Sequence, residues 1–252
     1  MKNTTNEKEI KDANRRFYNA VADNYEAIDQ RRSRRLENWL KTNLIGIRAK
    51  APGGRLLDLG TGSGFVTRCA LGIFDERIGV DISPAILEAN KTSFDLGVAA
   101  DLDNLPFKDN SFDAVSCFAV LHHLFSFERL VTEAARVLKP GGVFYSDHDM
   151  SMSFYNRFKL PLWCYRKLQN TVRKYTKASG EITEELYHLS EYHENGIDPD
   201  QLLALMNKNG FGVELNYHWF GLNGITDKFL GNRFYSRGFA PLARILAVKK
   251  ML

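Results

Sequence analysis

The sequence predicts an open α/β fold in which a mostly parallel, doubly wound sheet carries helices on both faces. Strand-like and helix-like segments alternate from residue 55 to residue 147, the pattern of successive βαβ units. The first strand, 55–59, runs directly into the glycine-rich stretch GTGSG at 60–64. The next strand ends on an acid, Asp81. Ligands of doubly wound sheets bind where such strands end, so these observations predict both a fold and a binding edge.

Local signals support the individual elements of this alternation. Ser83 and Pro84 are a typical helix start, because serine caps the first turn and proline is tolerated at the first helical position. The KPGG stretch at 139–142 ends the last helix of the series. Strands are expected at 55–59, 78–81, 98–100, 112–117 and 143–147, and helices at 65–71, 84–91 and 127–138.

The segments outside this alternation have a different character. Residues 1–12 are polar and predict a mobile tail, and a helical period follows from 15 to 44. Residues 150–195 are crowded with aromatic and basic side chains and predict a mainly helical insertion. The expected organisation is a tail and helical cover at 1–45, followed by the main domain at 46–252, which contains the insertion as a lid.

The core pattern resumes after the insertion. Asp198 and Pro199 predict the start of a helix, and Gly210 predicts its end. An alternating strand pattern follows at 212–219, then a loop, and a last strand at 242–250.

Composition excludes several classes of protein. The net charge of +4 is too weak to indicate a nucleic-acid partner, and the RRSRR run at 31–35 is expected to be a solvated helix face. No run of about 18 apolar residues predicts a membrane span. The three cysteines stand singly and predict neither a disulfide framework nor a zinc site. Together with the polar N-terminus, they favour a cytoplasmic location.

The spacing of the glycines and acids predicts the kind of ligand. The dinucleotide fingerprint is G-x-G-x-x-G, and here the third glycine comes one residue early. A carboxylate at Asp81 can accept hydrogen bonds from both hydroxyls of a ribose, and Asp101 follows the third strand within reach of an adenine. This arrangement favours an adenosine with a short zwitterionic tail over a pyrophosphate.

Five motifs occur in order between residues 56 and 142: LLDLGTGSG, GVDIS, DLDNLPFKDNSFDAV, LHHL and RVLKPGG. With them the chain resembles the class I S-adenosylmethionine-dependent methyltransferases, of the type 11 or quinone-biosynthesis kind that methylates small molecules. The resemblance implies a Rossmann-like sheet of seven strands with an antiparallel last strand, S-adenosylmethionine as cofactor, and a small-molecule methyl acceptor.

The resemblance also implies roles for individual residues. The methionine portion of the cofactor would lie on Asp58 and the glycine loop, the ribose on Asp81, and the adenine against Ile82, Asp101 and Leu102. Phe118 would lie near the cofactor. Tyr18 and Tyr25, seven residues apart on one expected helix face, would reach its carboxylate tail, with ordinary packing as the alternative. The cofactor-binding residues expected on this basis are Tyr18, Tyr25, Asp58, Gly60, Thr61, Gly62, Gly64, Asp81, Ile82, Asp101, Leu102 and Phe118.

Candidates for catalysis lie elsewhere. Asp147 and His148 are at the carboxyl end of the fifth strand, and His193 lies in the insertion. Any of them could accept a proton or contact the acceptor. Asp147, His148 and Asp149 are successive strand residues whose side chains are expected to alternate between the two faces, so no metal site is predicted.

Several alternatives remain open at this point. A nicotinamide-dependent dehydrogenase and a non-catalytic adenosylmethionine-binding scaffold use the same sheet. The insertion is either a packed lid or a lid that also touches a membrane surface while it holds an apolar acceptor. The methyl acceptor, the accepting atom (carbon, oxygen or nitrogen) and the oligomeric state are not indicated by the motifs.

Overall fold

The computed structural model describes residues 6–29, 32–169, 171–231 and 233–251, and its centre is a seven-stranded sheet. The strand order is β3-β2-β1-β4-β5-β7-β6, with β7 antiparallel to both neighbours and every other pairing parallel. The predicted fold class is therefore confirmed. The strands are β1 Arg55–Leu59, β2 Glu76–Asp81, β3 Leu96–Ala99, β4 Phe112–Phe118, β5 Leu138–Met150, β6 Phe211–His218 and β7 Leu242–Lys249.

The order of the strands creates a crevice beside β1. The chain winds outward from β1 to β3 on one side and from β4 to β5 on the other, so the direction reverses between β1 and β4. Leu59 at the end of β1 pairs with Val80 and with Cys117. The glycine turn, Asp81 and Phe118 therefore leave the sheet side by side at its carboxyl edge.

Helices cover both faces of this sheet. On one face, α6 and α11 bury Leu130, Val131, Leu202 and Met206 against the strands; on the other, α3 and α4 bury a second apolar cluster that includes Leu40. The helices are α1 Glu7–Val21, α2 Tyr25–Asp29, α3 Arg34–Lys50, α4 Phe65–Cys69, α5 Pro84–Ala89, α6 Glu128–Val137, α7 Met152–Arg157, α8 Lys159–Gln169, α9 Thr171–Ala178, α10 Glu184–Ser190, α11 Pro199–Lys208 and α12 Gly224–Leu230, with 3₁₀ turns at Ala22–Asn24 and Leu121–His123.

A separate apolar cluster joins the N-terminal helix to the insertion. Phe17 and Val21 of α1 pack with Tyr175 of α9 and Leu186 of α10, and the rings of Phe17 and Tyr175 are 5.2 Å apart. We call α1, α9 and α10 the cap. Residues of the cap line the cavities described below, which shows that the cap lies over the carboxyl edge of the sheet.

The N-terminal region differs from its prediction in two ways. The expected tail at 1–12 is wrong from residue 7 onward, because α1 begins at Glu7 and Asn6 Oδ1 accepts from the N–H of Glu9 at 3.0 Å; residues 1–5 lie outside the described residues. The helical stretch 15–44 is not one helix. It belongs to α1, α2 and α3, and Ser33 caps α3.

Two further boundaries differ from the sequence prediction. β5 begins at Leu138, before the KPGG stretch, and is much longer than the expected 143–147. Its early start is stabilised by Lys139, whose Nζ lies 2.8 Å from Asp113 on β4. The loop expected before the last strand contains α12, whose start Asn223 caps with a reciprocal pair of hydrogen bonds to Thr226.

Candidate cofactor and acceptor site

A cleft of about 960 Å³ lies at the carboxyl edge of the sheet, beside the crevice between β1 and β4. Eleven of the twelve residues expected to bind the cofactor line this cleft. Gly64 is the exception. The structure thus brings together side chains from α1 and α2 and from the ends of β1, β2, β3 and β4.

The glycine turn opens its backbone to this cleft. Gly60 and Gly62 have φ of +65° and +51°, a conformation that favours glycine. A Cβ on Gly62 would come no nearer than 3.9 Å to the ring of Tyr25, so the space above this residue is open to a ligand. Gly64 has φ of +72°, and a Cβ there would collide with Ser93. Its glycine therefore serves the packing of α4 and not the cleft.

Asp81 is buried at the floor of the cleft. Its Oδ2 accepts from the N–H of Gly62 and its Oδ1 from the N–H of Ser83, both at 2.9 Å. Burial raises the pKa of Asp81 to about 6, although these backbone donors oppose the rise. Each carboxylate oxygen has a second lone pair, so Asp81 can still accept from two ligand hydroxyls.

Asp58, at the end of β1, is a second buried acid in the cleft. Its Oδ1 accepts from the hydroxyl of Ser116 at 2.7 Å. Burial raises the pKa of Asp58 to about 7. Because a cation nearby would favour the ionised form, this wall of the cleft suits a positively charged ligand group.

Helix α1 contributes residues that the sequence prediction missed. The side-chain amide of Asn14 donates to the carbonyls of Ile10 and His123, but none of the described residues donates to its buried Oδ1. An unpaired buried acceptor in a ligand cleft is costly unless a ligand donor meets it. Asn14 lies between the expected tail at 1–12 and the expected helical stretch at 15–44, so this wall is not predicted from the sequence. The apolar period of Ile10, Ala13 and Phe17 is the signal that could have shown it.

Lys11 also reaches the cleft from α1. Its Nζ lies 2.8 Å from Asp101 Oδ2 and also pairs with Asp103 and Glu7. These carboxylates raise the pKa of Lys11 although burial opposes them. The expected adenine contact of Asp101 would therefore be made by a carboxylate that a lysine already holds in place.

Tyr18 and Tyr25 both line the cleft, although they do not share one helix face as expected. They lie on different helices, α1 and α2, and the prediction of a single helix face is wrong. Their rings are 5.6 Å apart. The Tyr18 hydroxyl donates to His123 Nε2 at 2.8 Å, and His123 Nδ1 donates to the carbonyl of Ser190 at 2.6 Å. Burial lowers the pKa of His123 to about 4, so this imidazole is neutral and links α1 to the end of α10.

A second cavity of about 600 Å³, the inner chamber, adjoins the cleft under the cap. Tyr18, Tyr25 and Phe118 line both spaces. The inner chamber is further lined by His122, His148, Tyr175 and Glu191. Its walls are thus mainly aromatic rings, with imidazole groups, a carboxylate and the Arg32 side chain between them.

Two aspartate–histidine pairs border the inner chamber. His148 Nδ1 donates to Asp147 Oδ1 at 3.0 Å, and His122 Nδ1 donates to Asp149 Oδ1 at 2.6 Å. The alternation assumed for these residues of β5 is interrupted, because the register with β7 shifts between Ser146 and Asp149 and His148 has φ of +66°. Such a bulge re-aims side chains.

Asp147 itself lies behind the chamber wall. It is fully buried, and it accepts from His218 Nε2 at 2.8 Å and from the Tyr145 hydroxyl at 2.9 Å as well as from His148. Burial raises its pKa, but the imidazoles of His218 and His148 lower it further, and the net pKa is below the ordinary range. Asp147 is therefore an anion that orients His148.

The other ring nitrogen of His148, Nε2, lies against Gly221, where a Cβ would collide with it. Its ring stacks on Phe118 with centroids 4.3 Å apart. No hydrogen-bond partner among the described residues reaches its buried Nε2. Burial lowers the pKa of His148, against the effect of Asp147, so the imidazole is neutral near pH 7.

His193 lies outside the inner chamber. Its backbone N–H donates to the carbonyl of His122 at 2.8 Å, and its ring faces that of Phe127 at 5.4 Å. It lines a third space of about 1760 Å³, the outer cavity, which is formed largely by the insertion and shares His122, His148 and Glu191 with the inner chamber.

Among the residues that the structure describes, two clusters have ligand atoms close enough for a metal ion: His122, His123 and Glu191, and Asp147, His148 and His218. Both nitrogens of His123 are engaged by Tyr18 and Ser190. Asp147 already accepts from both imidazoles of the second cluster. We interpret the two clusters as hydrogen-bond networks.

The fold, the open glycine turn and the acids of the cleft define a protein that binds an adenosine with a charged tail. A family model for the methyltransferase domain matches residues 57–146. The demethylmenaquinone methyltransferase of Symbiobacterium thermophilum is 32% identical over 240 residues, which cover 84% of this chain and 89% of that protein. The chain therefore belongs to the class I S-adenosylmethionine-dependent methyltransferases, and S-adenosylmethionine is its cofactor.

Two further proteins are similar over different extents. The ubiquinone/menaquinone biosynthesis C-methyltransferase UbiE of Burkholderia mallei is 32% identical over 134 residues, covering 50% of this chain and 55% of that protein. A Thermotoga maritima structure described as a possible histamine N-methyltransferase has a TM-score of 0.61 at 19% identity, and the match covers 94% of this chain and 99% of that one. The latter likeness concerns the fold alone.

These similarities give the nicotinamide-dependent alternative no support. None of the described helices is both long enough and apolar enough to cross a membrane.

Proposed function

We propose that the enzyme methylates a ring carbon of a hydroxylated aromatic acceptor of the quinone type, held in the inner chamber. The observation that carries this proposal is the chamber itself, whose aromatic walls of Tyr18, Phe118 and Tyr175 enclose two oriented imidazoles next to the cofactor cleft. The names of the relatives support the same class, because one is a demethylmenaquinone methyltransferase and another a C-methyltransferase of quinone biosynthesis.

We propose one orientation for the cofactor in the cleft. Its methionine end lies on Asp58 and the turn from Gly60 to Gly62, with Thr61 in that turn, under Tyr18 and Tyr25. Its ribose lies on Asp81, and its adenine lies between Ile82 and Leu102 with Asp101 at the rim. In this orientation the reactive end faces Phe118 and the inner chamber. The unpaired Asn14 Oδ1 is proposed to accept from a donor of the cofactor.

The residues of the chain have three tasks in this reaction. When bound, S-adenosylmethionine supplies an electrophilic methyl group. The aromatic walls hold the acceptor ring in line with that group, and the cap excludes water. A base takes the proton of the acceptor hydroxyl, which makes the neighbouring ring carbon nucleophilic. The ring carbon would form a C–C bond as the S–CH₃ bond breaks, and it would then lose its own proton to water. This leaves a methylated phenolate, which regains a proton from the base.

We propose His148 as the base. Its neutral imidazole is oriented by Asp147 through Nδ1, while Nε2 is buried without a partner among the described residues and can accept the hydroxyl proton. His122, oriented by Asp149, is proposed to contact a second acceptor oxygen. His193 is proposed to position His122 through the backbone hydrogen bond, because it lines the outer cavity and not the inner chamber.

The test is methyl transfer from labelled S-adenosylmethionine to reduced demethylmenaquinone with a short isoprenoid chain. A labelled product carrying one more methyl group on its ring carbon supports the proposal. An unlabelled quinone, with label recovered on another metabolite from fractionated extract, would contradict the acceptor class.

A pair of variants tests the proposed base. His148→Gln should lower kcat about 100-fold, the usual size of a lost general base, with unchanged S-adenosylmethionine affinity in calorimetry. His188→Gln is the matched control, because His188 is half-exposed on α10 and outside the inner chamber. Equal kcat for both variants would exclude His148 as the base.

A further inference from the structure

Helix α8 is almost wholly uncovered. It spans Lys159–Gln169, and none of residues 159–167 is buried. Leu160 and Trp163 are 77% and 56% exposed. A helix of 11 residues is marginal in water unless an apolar face packs against something. Its exposed apolar side chains therefore indicate that a lipid phase or another molecule covers this surface.

A second uncovered stretch lies beside it. Ile225 and Phe229 are four residues apart on α12, and both are exposed, as are Phe234 and Phe239 in the segment that follows. This stretch packs against α7, which leads into α8. The ring of Phe154 is 5.2 Å from that of Trp219, and Arg237 Nε donates to Ser153 Oγ at 2.8 Å. We call α8 together with residues 219–231 and 233–239, which include α12, the aromatic face.

The charge of the segment that contains α8 is one-sided, although Glu184, Glu191 and Glu194 line the outer cavity beside it. Residues 150–180 contain seven basic residues and no acidic residue, whereas the whole chain has a net charge of only +4. Arg173, Lys174 and Lys177 are exposed on α9, and Lys167 lies over the ring of Trp163 at 4.0 Å. The basic residues of the segment are Arg157, Lys159, Arg166, Lys167, Arg173, Lys174 and Lys177.

The outer cavity reaches the same face. Its lining includes Lys159 and Trp163 of α8 and Leu222 before α12. It also shares His122 and His148 with the inner chamber. The aromatic face thus borders a cavity that reaches from the surface to residues of the inner chamber.

We infer that the aromatic face docks on an anionic lipid bilayer. Exposed Trp, Leu and Phe side chains bordered by Lys and Arg, with no acidic residue in the adjoining segment, are the chemistry of an interfacial surface, in which rings enter the headgroup boundary and cations meet lipid phosphates. Docking would place the opening of the outer cavity against the bilayer. This inference goes beyond the proposed acceptor, since the face exists whatever the enzyme methylates.

Co-sedimentation with vesicles tests the inference on the full chain. We expect binding to vesicles of 30% phosphatidylglycerol in phosphatidylcholine, and at least about tenfold weaker partition to phosphatidylcholine alone, because each basic side chain near an anionic surface contributes about fivefold. Binding should weaken as the ionic strength rises.

Matched variants locate the surface. Leu160→Ser/Trp163→Ser should lower partition at least about tenfold, with unchanged S-adenosylmethionine binding in calorimetry. Ile45→Ser/Leu71→Ser is the control, because these side chains are 59% and 69% exposed elsewhere on the molecule and Leu71 lies before β2, at the amino edge of the sheet.

Three results would overturn the inference: no binding to anionic vesicles at low salt, equal binding by both double variants, or a dimer in sedimentation velocity that only Leu160→Ser/Trp163→Ser dissociates while vesicles stay unbound. The last would assign the face to a second copy of the chain. Failure of the methyl-transfer assay leaves these outcomes unaffected, so the two proposals fail separately.

Discussion

Asp81 is a buried carboxylate that accepts two backbone hydrogen bonds and has a raised pKa. Its pKa of about 6 means that it is ionised near pH 7 and becomes neutral within a range that the enzyme can be assayed in. Protonation removes an acceptor that the cofactor hydroxyls need. The affinity for S-adenosylmethionine should therefore fall as the pH falls through 6, by up to about tenfold per pH unit. Calorimetric titrations between pH 8 and pH 5 measure this, and a constant affinity would contradict the assignment.

The ionised carboxylate of Asp58 should lower the stability of the folded enzyme while it contributes to cofactor binding. Its folded pKa of about 7 lies above the ordinary value of 3.8, so its contribution to stability is lost as the pH rises from about 4 to about 7. At pH 8 the folded enzyme carries a buried anion that an asparagine would avoid. Asp58→Asn should raise the Tm by a few degrees at pH 8 and much less at pH 5, and it should weaken S-adenosylmethionine binding.

Thermal unfolding at the two pH values, followed by calorimetry, checks this expectation. A Tm gain that is equal at pH 5 and pH 8 would show that the ionised carboxylate is not the cause. Unchanged cofactor affinity would remove Asp58 from the cofactor site.

The glycine turn that connects β1 to α4 contains glycines with two different roles, one toward the cofactor cleft and one in packing. Gly62→Ala adds a methyl group in open space above the cleft, so we expect a cost of about 1 kcal/mol in the free energy of unfolding and at least tenfold weaker cofactor binding. Gly64→Ala meets Ser93 at a positive φ, so we expect about 3 kcal/mol of destabilisation without a direct contact to the cofactor.

Denaturant unfolding and calorimetry distinguish the two variants. If Gly62→Ala binds S-adenosylmethionine like the wild type, the backbone of the turn does not contact the cofactor. If Gly64→Ala is as stable as the wild type, the close packing against Ser93 is not the reason for that glycine.

Prediction from sequence succeeded where an element carries its own signals. The strand before Gly60, the acid at the end of β2 and the Ser83–Pro84 start of α5 are local patterns, and the structure places all of them as expected. The break between α2 and α3 was missed because no proline or glycine marks it; the cap at Ser33 was its only signal. The Asp147–His148–His218 network was not visible because His218 lies 71 residues from Asp147.

On the scale of the whole molecule, the sheet and the cap have separate apolar cores that meet at the cleft. The cap cluster of Phe17, Val21 and Leu186 does not belong to either core of the sheet. Tyr18 of the cap and His123, which follows β4, share a hydrogen bond at the wall of the cleft. The arrangement predicts that cofactor and acceptor are enclosed by parts of the chain that are far apart in sequence.

The central claim is that S-adenosylmethionine lies between this glycine turn and Asp81, and calorimetric titration of three proteins tests it most directly. We predict binding of one equivalent by the wild type, about 100-fold weaker binding by Asp81→Ala through the loss of charge-assisted hydrogen bonds, and unchanged binding by Asp75→Ala, whose carboxylate is exposed. Equal affinity of all three proteins for S-adenosylmethionine would contradict the account.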